Sequence, residues 1–223
     1  MPQHIDGILF DLDDTLYDRG AAFNRWLNSY IQDTLKVSEP KEIAAVLQSI
    51  SVLDSGGYGS KKAVVEEVCR LYPAADGMSS DLGDFYDLFF GQLVLDCEAM
   101  ALLDLLDNSG IPYGVVTNGL ERQWRKIDKM GLRERTSCLF VSATFGCEKP
   151  DPAIFIAAAN CLKIEPQSIL FVGDHPINDI LGAHKAGMQT AWIPRGKPWP
   201  QDCAVVPDRV IESLLELTAH LSL

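Results

Sequence analysis

What most constrains the fold is a recurring pattern. A short apolar run gives way to a loop opening on Asp or Thr-Asn, and a stretch with helical spacing follows. Ile5-Asp6-Gly7-Ile8-Leu9-Phe10 runs into Asp11, Tyr113–Val116 into Thr117, and Ile169–Val172 into Gly173-Asp174. Leu139-Phe140-Val141 and Gln189–Ile193 are two further runs. Runs this short and this apolar fit strands buried on both faces. Between them, residues 121–130, 152–162, 178–186 and 209–221 carry apolar side chains at helical spacing. Pro152 suits a first helical turn, and Gly131 and Gly187 suit C-terminal caps. Strands alternating with helices predict an α/β fold, a Rossmann-like parallel sheet core with helices on both faces.

The alternation fails from about residue 18 to 97. Phe23, Trp26, Leu27, Tyr30 and Ile31 recur at helical spacing, as do Ile43, Val46, Leu47 and Ile50. Val64, Val65 and Val68 repeat it, then Leu82, Phe85, Tyr86 and Phe89, and a glycine-rich loop at 54–59 divides two of these helices. The expected organisation is an α/β core of residues 1–16 and 98–223 with an inserted all-helical cap domain at 17–97. In open parallel sheets ligands bind at the carboxyl ends of strands. An insert rooted directly after the first strand is therefore expected to act as a lid. Tyr17, Arg19 and the loop at 56–59 are candidates for its substrate side. The aromatic residues Trp26, Tyr30, Phe85, Tyr86, Phe89 and Phe90 are expected to form its core.

Composition narrows the function classes. With 223 residues, 47% hydrophobic and 22% charged, the chain can bury a real core. No apolar stretch is long enough to span a membrane, and no basic segment leads into an apolar run at the N-terminus, so no signal peptide is expected. Six scattered cysteines without a Cys-x-x-Cys pair suit free thiols in the cytoplasm. A net charge of −12 without any Lys/Arg cluster argues against a nucleic-acid partner. It also means that an anionic substrate needs positive potential built locally.

Four signals carry chemistry: Asp11-Leu12-Asp13-Asp14-Thr15, Thr117-Asn118-Gly119, Lys149-Pro150-Asp151-Pro152, and Gly173-Asp174-His175-Pro176-Ile177-Asn178-Asp179. Each alone has an ordinary explanation. Acids cap loops, Thr-Asn starts helices, and lysines are usually solvated. Together, each on the carboxyl side of its strand, they define one crevice. Asp11, Asp13, Asp174 and Asp179 are expected to converge there. Two like charges 4 Å apart cost about 1 kcal/mol in water and about 4 kcal/mol at a protein-like dielectric, so the cluster calls for cations. Lys149 is one. Oxygen-only ligands point to Mg²⁺ as the other, and helix starts near Asn118 and His175 add to the anion site. His175 itself is read as packing or meeting solvent, and Asp14 as serving the loop.

These motifs resemble those of the haloacid dehalogenase superfamily of phosphohydrolases, over essentially the whole chain, and the insert resembles the superfamily's C1-type cap. The resemblance implies Asp11 as nucleophile and Asp13 as general acid/base. Thr117 and Lys149 would hold the phosphate, with the backbone N–H groups of Asn118 and Gly119 beside them. Asp174 would bind the metal together with Asp11 and the Asp13 backbone carbonyl, and Asp179 would orient Lys149 or the metal's waters. The activity implied is Mg²⁺-dependent hydrolysis of a small phosphorylated metabolite through a phosphoaspartate. To donate a proton, Asp13 is expected to have its pKa raised by the carboxylates around it. Related 2-haloacid dehalogenases use no metal and lack an acid two residues after the nucleophile, whereas a phosphomutase shares the first step. A phospho-acceptor signalling domain uses similar groups but places its paired acids before the acceptor and has no lid. Neither the substrate nor the oligomeric state is written in these motifs.

Overall fold

The computed structural model describes residues 4–33, 36–57, 59–71 and 89–221. Six strands form one sheet: β1 (Gly7–Phe10), β2 (Tyr113–Thr117), β3 (Leu139–Val141), β4 (Ile169–Gly173), β5 (Gln189–Trp192) and β6 (Arg209–Val210). All pairings are parallel, in the order β3-β2-β1-β4-β5-β6. The sheet is thus Rossmann-like, and the strand order reverses at β1, which lies between β2 and β4. Ligand crevices in such sheets open at that point, beyond the carboxyl ends of the strands.

Both faces of the sheet are covered. Leu9, Val116, Ile169 and Phe171 pack with Ile154, Phe155, Ala158 and Ala159 of α7 (Pro152–Leu162) and with Ala183 of α8 (Gly182–Lys185). The oppositely directed Ile8, Phe10, Val115, Leu170 and Val172 are equally buried, which is why these strands read as unbroken apolar runs. The approach on the first face is close. A Cβ on Gly182 would lie 2.6 Å from Phe155 Cε2 and 3.0 Å from Pro150 Cα.

Two compact units divide the chain, one of residues 1–18 with 94–223 and one of 19–93. The second contains α1 (Arg19–Asp33), α2 (Pro40–Asp54) and α3 (Lys61–Leu71), with no strand among its described residues. Phe23, Trp26 and Phe89 are buried against one another, with ring centroids 5.2 to 5.6 Å apart. Leu82, Phe85 and Tyr86 lie outside the described residues. Arg19 is buried within this unit, its Nη1 2.5 Å from Asp54 Oδ2 and its Nη2 3.0 Å from Asp54 Oδ1. Its guanidinium also lies over the rings of Phe23 and Phe89.

Five elements depart from the sequence expectation. The helix expected over 121–130 is shorter, α5 (Gln123–Lys129). In place of a helix over 178–186, a π-helical turn, Pro176–Leu181, leads into the short α8. The stretch 209–221 is not one helix either. Asp208 accepts from Thr190 N–H and Oγ1, drawing Arg209–Val210 alongside β5, and a capping box at Ser213 then starts a 3₁₀ helix, Leu214–His220. A helix absent from the expectation, α4 (Cys97–Ser109), precedes β2 and buries Ala99, Leu102, Leu103 and Leu106. A four-residue helix, α6 (Ser142–Phe145), follows β3.

Candidate active site

Asp11 follows β1 and extends it by one bond, its N–H donating to the Val172 carbonyl at 2.9 Å. Since β1 and β4 are neighbours, Asp11 and Asp174 leave the sheet side by side. The π-helical turn brings Asp179 back to them, and its Oδ2 accepts from the His175 N–H at 2.8 Å. Carboxylate oxygens of Asp11, Asp174 and Asp179 lie within 4.8 Å of one another, and all three residues are buried. Gly173 makes this possible, because a Cβ there would lie 2.5 Å from the Asp179 carboxylate.

Lys149 enters the cluster from the loop before α7. Its Nζ lies 2.5 Å from Asp11 Oδ1, 2.7 Å from Asp179 Oδ1 as an ion pair, and 2.8 Å from the Val116 carbonyl. Asn118 holds that loop. Its Nδ2 donates to the Lys149 carbonyl and its Oδ1 accepts from the Lys149 N–H, both at 2.8 Å. Thr15 Oγ1 donates to Asp11 Oδ2 at 3.2 Å. Lys197 reaches Asp174 Oδ2 at 3.0 Å.

The electrostatics follow from burial and neighbours. Burial pushes the Asp11 carboxyl well above the usual range, and Asp179 and Asp174 push the same way against Lys149. Asp174 is raised to about 6, by burial first and Asp179 second, with Lys197 opposing. Burial works against the charge on Lys149, but Asp11 and Asp179 outweigh it and hold the ammonium protonated. Burial lowers His175, whose Nδ1 accepts from the N–H groups of Ile177 and Asn178 at 3.1 Å. His175 is thus a helix cap, a more specific role than packing or solvent contact.

Asp13 corrects the expectation. Its carboxylate is held by donors of its own and is not one of the three gathered acids. Oδ1 accepts from Lys126 Nζ at 2.6 Å and from the Tyr17 hydroxyl, while Oδ2 accepts from Lys126 Nζ at 2.8 Å and Gln123 Nε2 at 2.7 Å. Burial opposes ionisation here, yet Lys126 and the hydrogen bonds of Lys126, Tyr17 and Gln123 prevail and hold the group at about 2. Its pKa is lowered, not raised, because its neighbours are donors. Thr117 is buried, and its Oγ1 accepts from Gln123 Nε2 at 2.9 Å. The Gly119 N–H donates to Ser142 Oγ at 3.0 Å.

Three buried carboxylates facing one buried ammonium form an oxygen-only donor set short of positive charge. A hard divalent cation fits such a set. Residues 8–193 match the family described as haloacid dehalogenase-like hydrolase. The chain belongs to that family.

Among relatives of this haloacid dehalogenase-like hydrolase, a glyceraldehyde 3-phosphate phosphatase of Methanopyrus kandleri is 30% identical, covering 96% of this chain and 95% of the relative. An N-acetylmuramic acid 6-phosphate phosphatase of Pseudomonas putida is 29% identical, covering 87% and 85%. Among solved structures, a magnesium-bound HAD-hydrolase of Bacillus subtilis superposes with a TM-score of 0.69 at 23% identity, covering 99% of this chain and all of that one.

Several residues of the hydrolase's site carry no recognisable sequence signal. Gln123 and Lys126 belong to a short, mostly polar helix, and Lys197 to a Pro/Gly-rich loop. The Tyr17 hydroxyl donates to Asp13, and Arg19 pairs with Asp54. Arg195 holds the Asp14 and Thr15 carbonyls at 3.0 and 3.1 Å and meets Asp96 Oδ2 at 3.3 Å. No helix among the described residues is long and apolar enough to cross a membrane.

Proposed function

We propose that this hydrolase is a Mg²⁺-dependent phosphatase acting on a small phosphomonoester, with Asp11 as nucleophile. The observation that carries the reading is the gathering of Asp11, Asp174 and Asp179 around Lys149 at the carboxyl ends of β1 and β4. The phosphatase relatives support the reaction class. An Asp11 oxygen attacks phosphorus as the ester P–O bond breaks, and the departing oxygen takes a proton from Asp13. Water then attacks the aspartyl phosphate, Asp13 takes its proton, and the bond from phosphorus to the Asp11 oxygen breaks, releasing phosphate. Lys149 and Thr117 stabilise the equatorial oxygens. Mg²⁺, held by Asp11, Asp174 and the Asp13 carbonyl with Asp179 alongside, would offset the charge between carboxylate and phosphate.

Asp13 as it stands, ionised, suits the second half of this cycle. To serve as the acid in the first half it exchanges one of its donor contacts for a proton, while the others keep the carboxyl in place. Its presence two residues after Asp11 favours an ester over a halide substrate. The helical unit 19–93 is read as a C1-type cap, since it is inserted directly after the segment that carries Asp11. The intracellular, cytoplasmic reading rests on its six free cysteines.

The test is a panel of phosphomonoesters, including glyceraldehyde 3-phosphate and N-acetylmuramic acid 6-phosphate, assayed with and without Mg²⁺ beside Asp11→Asn. Phosphate release that needs Mg²⁺ and vanishes in a folded Asp11→Asn protein is the expected outcome. Undiminished Mg²⁺-dependent release by that variant would falsify the assignment. Recovery of an isomeric phosphate ester in place of inorganic phosphate would instead identify a mutase.

A further inference from the structure

Gln123 and Lys126 lie three residues apart on one face of α5, and both are buried. The single nitrogen Gln123 Nε2 serves both halves of the site, at 2.7 Å from Asp13 Oδ2 and 2.9 Å from Thr117 Oγ1. Because Thr117 accepts from Gln123, its own proton is left to donate, here to the Asn118 carbonyl over a long 3.4 Å, a bond that a phosphate oxygen can take over. Gly119 leaves room for this arrangement, since a Cβ there would lie 2.7 Å from Gln123 Cγ. Lys126, Gln123 and Tyr17 together place four donor contacts on the two Asp13 oxygens. That uses the acceptor capacity of a carboxylate and fixes its rotamer.

We propose that Gln123 and Lys126 are positioning residues that hold the Asp13 carboxylate and the Thr117 hydroxyl in mutual register from one helix face. The proposal rests on the phosphatase reading, with Asp13 as acid and base. A purely structural pair would affect all substrates alike. A pair acting through Asp13 affects most the esters whose leaving oxygen must be protonated.

The test compares kcat/KM for sn-glycerol 3-phosphate, whose alkoxide needs a proton, with that for p-nitrophenyl phosphate, whose phenolate does not. It uses the Mg²⁺-saturated full chain, in wild type, Gln123→Met, Lys126→Met and Asp13→Asn. Positioned proton transfer is worth roughly 10²–10⁴-fold. Each Met variant should therefore lose about tenfold or more on the alkyl ester, several times its loss on the aryl ester. Equal losses on both esters, or no loss, overturn the proposal. Should Lys126→Met not fold by circular dichroism, Gln123→Met decides alone. Discrimination by Asp13→Asn without any by the Met variants overturns the positioning role only, whereas none by Asp13→Asn overturns the acid–base reading beneath it.

Discussion

Lys149 and Asp11, 138 residues apart in sequence, meet at 2.5 Å with both side chains almost wholly buried. The same ammonium lies 2.7 Å from Asp179, so one cation faces two carboxylates of the cluster. Lys149→Met leaves both acids facing each other. Breaking a buried pair costs about 3–5 kcal/mol, and losing a charge that faces the phosphate costs at least ~10²-fold in turnover. The expected result is a lower melting temperature that Mg²⁺ partly restores, together with near loss of activity. A variant melting and turning over like wild type would refute this.

A bound cation stabilises the native state by mass action, about 2.7 kcal/mol at a hundred times its dissociation constant. Mg²⁺ should therefore raise the melting temperature of the wild-type protein. Asp174→Asn should abolish that rise, because it removes one of the three gathered carboxylates. Calorimetric scans with and without Mg²⁺ make the comparison, and an unchanged shift in Asp174→Asn would remove this residue from the metal site.

Much of this site was legible because the apolar runs carrying it end where the chemistry begins. Phe10 is buried and Asp11 follows, and Val172-Gly173 lead into Asp174. What escaped was whatever depends on side-chain direction. A lone Gln123 and Lys126 on a helix have no motif, and only the fold turns them toward Asp13, reversing the expected sign of its shift. Helix α4 was missed although Ala99, Leu102, Leu103 and Leu106 recur at helical spacing. The 209–221 stretch misled in the opposite sense, since its leucines are periodic while Asp208 is claimed by Thr190 in the neighbouring strand.

Gly182→Ala tests how tightly the Lys149 loop is seated. The added methyl meets Phe155 at 2.6 Å and the Pro150 backbone at 3.0 Å. Overpacking of this kind costs about 1–3 kcal/mol. Because Pro150 adjoins Lys149, kcat should fall along with stability. A loss of stability with kcat unchanged would show that the loop absorbs the clash without moving the lysine.

Within the helical unit, Asp54 is the hub. It accepts both Arg19 contacts and the Gly57 N–H at 3.0 Å. Asp54→Ala strands a buried guanidinium and should destabilise that unit by about 3–5 kcal/mol. Hydrogen exchange would then accelerate in α1 and α2 while β1, β2 and β4 stay protected. Uniform acceleration across the whole chain would contradict this.

The sheet order has a consequence for how the chain is born. Strand β1 emerges from the ribosome first, yet its two neighbours, β2 and β4, are made more than a hundred and more than a hundred and fifty residues later. Until then the segment bearing Asp11 has no partner on either edge, while the helices of 19–93 can form from contacts close in sequence. The first strand of the sheet to be made thus waits longest for its two neighbours, and the crevice beside Asp11 comes into being only when synthesis has passed residue 173.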